Sequence, residues 1–66
     1  MKNKLKVARA EQEITQEQLA QKIGVSRQTI NSIEKGKYVP STILALKISR
    51  LFSKRVDELF LLEKED

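Results

Sequence analysis

The stretch from residue 15 to residue 35 constrains the fold of this chain more than any other. Thr15 is followed three residues later by Gln18, which is the capping-box pattern of a helix N-terminus. Gly24 follows the last apolar residue of the first half, where a residue with positive φ ends a helix at no steric cost. The pattern therefore predicts two short helices joined by a tight turn, at residues 16–23 and 27 to about 35.

The spacing of small and apolar residues in this pair of helices is that of a helix-turn-helix. The motif needs a small residue where its helices touch, a turn residue that tolerates positive φ, and apolar residues where the second helix meets the core. Ala20, Gly24, Ile30 and Ile33 supply these features in order. A helical hairpin that contacts no nucleic acid has the same spacing, so the motif alone leaves both interpretations open.

Three further helices are predicted outside the motif, at residues 4–13, 42–52 and 55–60. The first has a weak apolar face that consists of Leu5, Val7, Ala8 and Ala10. The segment 36–40 holds both Gly and Pro and is the clearest break in the chain. Ser41 caps the helix after it, whereas Lys54 is a poor cap for the last helix. The end, 61–66, is compatible with a frayed turn, a short strand or a pairing segment. We predict one all-α domain of five helices over residues 1–66.

Composition limits the functions that are open to the chain. Sixty-six residues suit one small core, and dimerisation is a ready source of added stability. Cysteine and histidine are both absent, so we predict no metal site, no cofactor and no enzyme activity. No long apolar run follows the basic start MKNKLK, so we expect no membrane association and a cytoplasmic location.

Positive charge is concentrated in the front of the chain. Residues 1–53 hold ten Lys/Arg against four Asp/Glu, whereas residues 54–66 hold three against five. This asymmetry favours a polyanionic partner for the front part. Ordinary solvated surfaces explain the same counts equally well, so charge alone does not identify the partner.

A polar face on the second motif helix favours double-stranded DNA as the partner. In the major groove, arginine pairs with guanine, glutamine with adenine, and the threonine methyl group with thymine. The residues predicted to contact base edges are Arg27, Gln28, Thr29 and Ser32. Those predicted to contact phosphates are Gln16, Asn31, Lys35, Lys37 and Tyr38. An exposed polar helix face, solubilising lysines and a packed loop tyrosine are the alternative interpretations.

Glu34 is out of place on a surface that faces phosphates. It lies one turn beyond Ile30, which directs it toward the first helix, where Arg9 follows Leu5 by one turn. We therefore predict a structural ion pair between Arg9 and Glu34.

The chain resembles the Cro and phage-repressor (Xre-type) helix-turn-helix family over nearly its whole length. The resemblance rests on LKVAR, ITQEQLAQKIGVSRQTINSIEKGKYVPS, ALKIS and VDELF. It implies a compact five-helix, lambda-repressor-like domain that binds a palindrome as a homodimer. It also implies an Arg9–Glu34 pair, a phosphate contact for Gln16, and a position at or beside the base edges for Ser26, Arg27, Gln28, Thr29 and Ser32. The chain departs from the family pattern at Lys54, at Ile43 and in its LLEKED tail.

The predicted function is sequence-specific regulation of transcription, as a repressor, by a homodimer. Surplus apolar residues in the fourth helix and in the segment 59–62 predict the dimer interface. The residues assigned to it are Ile43, Leu51, Leu59, Phe60, Leu61 and Leu62. Two alternatives remain open: the antitoxin of a toxin–antitoxin pair, with a toxin as partner, and a protein-interaction module that keeps the scaffold without binding DNA.

Overall fold

The computed structural model describes all of residues 1–66 and contains five helices and one two-stranded sheet. In chain order the elements are β1 (Lys2–Asn3), α1 (Leu5–Glu11), α2 (Gln16–Ile23), α3 (Arg27–Glu34), α4 (Thr42–Phe52), α5 (Val56–Leu59) and β2 (Phe60–Leu61). The predicted five-helix fold class is confirmed. No helix has the length and apolarity that crossing a bilayer requires.

Side-chain caps define where the two central helices begin. Thr15 Oγ1 accepts the Gln18 N–H at 3.0 Å, and Gln18 Oε1 accepts the Thr15 N–H at 2.8 Å. This reciprocal pair is the predicted capping box, and it satisfies two backbone donors that the start of α2 leaves without partners. Ser26 Oγ accepts the Thr29 N–H at 3.1 Å and caps α3 in the same way. The two helix starts of the motif are therefore fixed by local sequence.

Residues with positive φ follow four of the helices. Gly24 (φ 77°) ends α2 and Gly36 (φ 74°) follows α3, while Glu13 (φ 55°) and Ser53 (φ 53°) take the same conformation after α1 and α4. After α3, the Gly36 N–H donates to the Ile33 carbonyl and the Lys37 N–H to the Ser32 carbonyl, both at 2.9 Å. This is the Schellman pattern, which satisfies the last carbonyls of a helix. It turns the chain sharply into the loop that leads to α4.

One apolar core joins all five helices. Its buried members are Leu5, Ala8, Leu19, Ala20, Ile23, Ile30, Ile33, Leu44, Ile48, Phe52, Leu59 and Phe60. In α1 only Leu5 and Ala8 are buried, and both Val7 and Ala10 are exposed. The buried face of α1 is therefore narrower than the predicted apolar face, which included Val7 and Ala10. The inner edge of α1 consists of Leu5, Ala8 and the partly buried Arg9, at helical spacing.

The C-terminal end of the fold differs from the prediction in two respects. α5 is a single turn, because Phe60 leaves the helix for an extended conformation and pairs with Asn3 in the antiparallel sheet. The N-cap of α5 is Arg55, whose N–H donates to Glu58 Oε1 at 2.9 Å, and not Lys54. The sheet was missed because its two strands lie at opposite ends of the chain, and no local pattern connects them.

Two residues assigned to the dimer interface are buried inside their own chain, so that prediction is corrected. Leu59 has no exposed surface and Phe60 is 8% exposed, so both belong to the core of their own chain and offer nothing to a second copy. Leu51 is half-buried against the same core. By contrast, Ile43 is 69% and Leu62 is 83% exposed. Leu46, which the sequence did not assign to the interface, is 57% exposed and lies one turn from Ile43 on α4.

Candidate nucleic-acid interface

The apolar residues of α3 face the core, and its polar residues remain on the outer surface. Ile30 is completely buried and Ile33 is 1% exposed, and α2 packs closely against this side of α3. These two isoleucines, three residues apart, fix the rotation of α3 about its axis. The side that remains outside carries Arg27 and Gln28, both exposed, in the first turn of the helix.

Thr29 and Ser26 form a small cluster at the start of α3. Besides the cap to the Thr29 N–H, the Ser26 and Thr29 hydroxyl oxygens lie 2.9 Å apart and share a hydrogen bond. The Ser26 hydroxyl is thus engaged in holding the helix start. Ser32, one turn further, is half-buried, so the freest side chains of the predicted base-contacting set are those of Arg27 and Gln28.

Arg9 and Glu34 form the ion pair expected from the sequence. Arg9 Nε lies 2.6 Å from Glu34 Oε2, and an Arg9 terminal nitrogen donates to Glu34 Oε1 at 3.1 Å. The other terminal nitrogen of Arg9 donates to the Ile14 carbonyl at 2.9 Å. The hydrogen bond to Glu34 raises the pKa of Arg9 above its ordinary value. The Glu34 side chain is only 6% exposed, so its negative charge is paired inside the protein and does not face the solvent.

Gln16 and Asn31 extend this ion pair toward the surface. Gln16 Nε2 lies 3.2 Å from Glu34 Oε1 and 3.3 Å from Asn31 Oδ1. The side chain at the start of α2 is therefore tied to two residues of α3. A shallow recess beside this contact is lined only by polar residues, namely Gln16, Arg27, Gln28 and Asn31.

The remaining predicted phosphate contacts lie at and beyond the C-terminal end of α3. Lys35, Lys37 and Tyr38 are all exposed, and the Schellman turn at Gly36 places the two lysines on either side of it. Neither lysine forms an ion pair within the chain, and neither does Arg27. Their positive charges are consequently available to an external anion.

Asn3 is a structural residue of the site that sequence reasoning missed. Its Nδ2 donates to the Ile33 carbonyl at 2.7 Å, and its Oδ1 accepts the Leu5 N–H at 3.1 Å. It thus connects β1 to the last turn of α3 and also holds the start of α1. Asn3 precedes the N-cap Lys4, so the N-cap preference for asparagine does not single it out. Its link to α3, thirty residues away, has no local signature either.

Two packed helices with a polar outer face on the second, supported by three further helices, form the helix-turn-helix arrangement that DNA-binding domains use. The chain belongs to the helix-turn-helix family, whose pattern matches residues 5–59. This confirms the family resemblance that the sequence indicated.

Similar proteins occur in archaea and in bacteria. A protein of Methanocaldococcus jannaschii is 54% identical over 66 residues, and one of Bacillus subtilis is 52% identical over 66; both alignments cover the whole of each chain. A protein of Archaeoglobus fulgidus is 47% identical over the whole of this chain and 94% of its own length. All three are named as uncharacterized HTH-type transcriptional regulators.

Proposed function

We propose that this protein is a sequence-specific transcriptional repressor that binds a palindromic operator as a homodimer. The observation that carries the proposal is the first turn of α3. Arg27 and Gln28 are exposed there and free of ion pairs, while the opposite side of the same helix is buried through Ile30 and Ile33. A helix held rigidly from behind and polar in front is suited to entering the major groove of DNA.

The chemistry of this face matches base edges. Arginine donates two hydrogen bonds to O6 and N7 of guanine, and glutamine forms a matched pair with N6 and N7 of adenine. Thr29 turns its hydroxyl to Ser26, so its methyl group is the part suited to a thymine methyl. Lys35 and Lys37 supply cations for phosphates at the edge of the groove. Direct contacts by Ser26 and Ser32 are secondary in this proposal, because Ser26 is engaged as a cap.

The exposed apolar residues of α4 support the homodimer. Ile43 and Leu46 lie three residues apart, and each keeps more than half of its surface in contact with water. Leu62 is also exposed and Leu61 is partly so, which makes them secondary members of the same proposed interface. A two-fold dimer would place two α3 helices in successive major grooves about 34 Å apart and would therefore need an inverted repeat. Occupation of such a site at a promoter blocks the polymerase, which is the basis of the proposed repression.

Selection of bound fragments from a random pool of double-stranded DNA tests the proposal. We expect an inverted repeat whose half-sites are centred about one helical turn apart. Sedimentation of the protein with the recovered DNA should give two chains per duplex, and a reporter under that sequence should be silenced when the protein is expressed. Failure to enrich any sequence would refute the proposed function, whereas enrichment of an unpaired half-site would refute the dimer. A reporter whose expression rises would refute repression.

A further inference from the structure

The contacts between Glu34, Gln16 and Asn31 determine which way two amide groups point. A carboxylate accepts hydrogen bonds but cannot donate them, and an amide has one donating end and one accepting end. The atom of Gln16 that lies 3.2 Å from Glu34 Oε1 must therefore be its nitrogen. The ion pair with Arg9 holds the Glu34 carboxylate in place. The orientation of the Gln16 amide thus follows from its partner.

The direction of the Gln16 amide in turn fixes that of the Asn31 amide. The Gln16 nitrogen has two hydrogens, one for Glu34 and one for the atom of Asn31 that lies 3.3 Å away. That atom must accept, so it is Asn31 Oδ1. The Asn31 NH2 group consequently points away from Gln16. It has no partner within the chain, and no side-chain nitrogen or oxygen atom is left both buried and unsatisfied, so this group reaches the surface.

The polar recess beside Asn31 is rich in hydrogen-bond donors. Arg27 contributes a guanidinium group and Asn31 contributes its NH2 group, while Gln28 completes the lining with an amide. Gln16 faces the recess without a free N–H in its side chain, since both amide hydrogens are engaged internally. The directed Asn31 NH2 group fits an acceptor such as a phosphate oxygen and does not fit a hydrogen-bond donor.

We propose that Gln16 is a positioning residue that directs the Asn31 NH2 group toward a backbone phosphate of bound DNA. Glu34 sets the direction of the Gln16 amide, and Gln16 sets that of Asn31. The side chain of Gln16 donates nothing to DNA itself, which differs from the contact expected from the sequence. This inference rests on the proposed DNA-binding function, but the amide directions can be tested without DNA.

The first test measures side-chain hydrogen exchange in the free protein by NMR. The Gln16 NH2 protons should exchange more slowly than those of Gln21, an exposed glutamine of the same helix. The Asn31 NH2 protons should exchange at the fast rate of an exposed amide. Protection of Asn31 together with fast exchange at Gln16 would overturn the assigned directions.

The second test is a double-mutant cycle on the DNA recovered by selection. Asn31→Ala should weaken binding about tenfold and by the same factor on unrelated DNA, because a phosphate contact carries no sequence information. Gln16→Met should weaken binding to a smaller extent. The double variant should bind no worse than Asn31→Ala alone, because Gln16 acts through Asn31. Gln21→Met is the matched control and should bind like the wild type.

Two results of this cycle, and one result with the further variant Asn31→Asp, would overturn the proposal. Fully additive losses would show that Gln16 and Asn31 contact DNA independently. A changed base preference at a single position in Asn31→Ala would show a base contact instead of a phosphate contact. Asn31→Asp that binds as well as the wild type would show that no donor is needed at this point. If the wild type itself binds no DNA, the proposed function fails, whereas the exchange measurement still decides the amide directions.

Discussion

Arg9 and Glu34 join the first helix to the last residue of the third through two hydrogen bonds, of 2.6 and 3.1 Å. Both side chains are largely shielded from water, at 14% and 6% exposure. The pair removes a negative charge from the surface proposed to face phosphates, and it fixes the end of α3 relative to α1. A single ion pair thus supports the fold and also determines the electrostatics of the candidate interface.

Removal of Arg9 should destabilise the protein more than an ordinary surface substitution. In Arg9→Ala the Glu34 carboxylate stays buried without its cation, which costs about 3 kcal/mol in the free energy of unfolding. Urea denaturation followed by circular dichroism measures the change. Replacement of both residues, with Arg9→Met and Glu34→Met, should recover more than half of the loss, because no unpaired charge remains. An Arg9→Ala midpoint equal to that of the wild type would contradict this account of the pair.

Ser53 should be a position where glycine stabilises the protein. Its φ of 53° lies in the left-handed region, which costs a residue with a Cβ about 1 kcal/mol. Ser53→Gly should therefore raise the free energy of unfolding by about 0.5 kcal/mol after the added chain entropy is counted. Gly36→Ala is the reciprocal variant and should lower it by about 1 kcal/mol, because φ there is 74° and the new Cβ meets the Met1 carbonyl oxygen at 3.4 Å. Thermal unfolding of both variants, compared with the wild type, should show shifts of opposite sign.

Charge on the outer face of α4 should separate the proposed dimer without unfolding its subunits. Ile43→Asp introduces a carboxylate at a position where the side chain is 69% exposed. The folded monomer tolerates this charge, whereas an apolar dimer interface does not. Analytical ultracentrifugation should show a shift from dimer to monomer, with an unchanged circular dichroism spectrum.

Leu59→Ala is the contrasting variant. It should lower the free energy of unfolding by about 3 kcal/mol, because this side chain is completely buried in its own chain, and the molecules that remain folded should still dimerise.

Arg27 and Lys37 should have different roles on DNA. Arg27→Ala should cost about 1–3 kcal/mol of binding free energy on the selected sequence and relax the preference at one base pair. Lys37→Ala should weaken binding to all sequences alike and reduce the slope of log affinity against log salt by about one. Fluorescence anisotropy with matched and scrambled duplexes, over a range of salt concentrations, distinguishes the two. Loss of specificity in Lys37→Ala would contradict the phosphate assignment.

Local signals predicted most of the helical fold. Thr15 with Gln18, Gly24 and Ser26 specify helix ends within a few residues of themselves, and α2 begins and ends where the sequence indicated. The Arg9–Glu34 pair was also accessible, because each residue lies one turn from a core position on its own helix. These features depend only on helix geometry and on caps, which short stretches of sequence determine.

The features that were missed depend on distant parts of the chain. Val7 was assigned to the apolar face of the first helix, but the inner edge of α1 consists of Leu5, Ala8 and Arg9, and Val7 is 55% exposed. Phe60 was assigned first to a helix and then to a partner surface, yet it pairs with Asn3 and is buried. The contacts between Gln16 and Asn31 depend on the angle between two helices, which sequence spacing does not give. These three features all require tertiary structure.

The pairing of Lys2 with Leu61 closes a loop that contains almost the entire polypeptide. Closure of so long a loop is entropically unfavourable until the helices have already brought its ends together. The small sheet therefore depends on the packed helices, which hold its two strands side by side. Because the two termini leave the domain from adjacent strands, an attachment at either end of the chain emerges from the same side of the molecule.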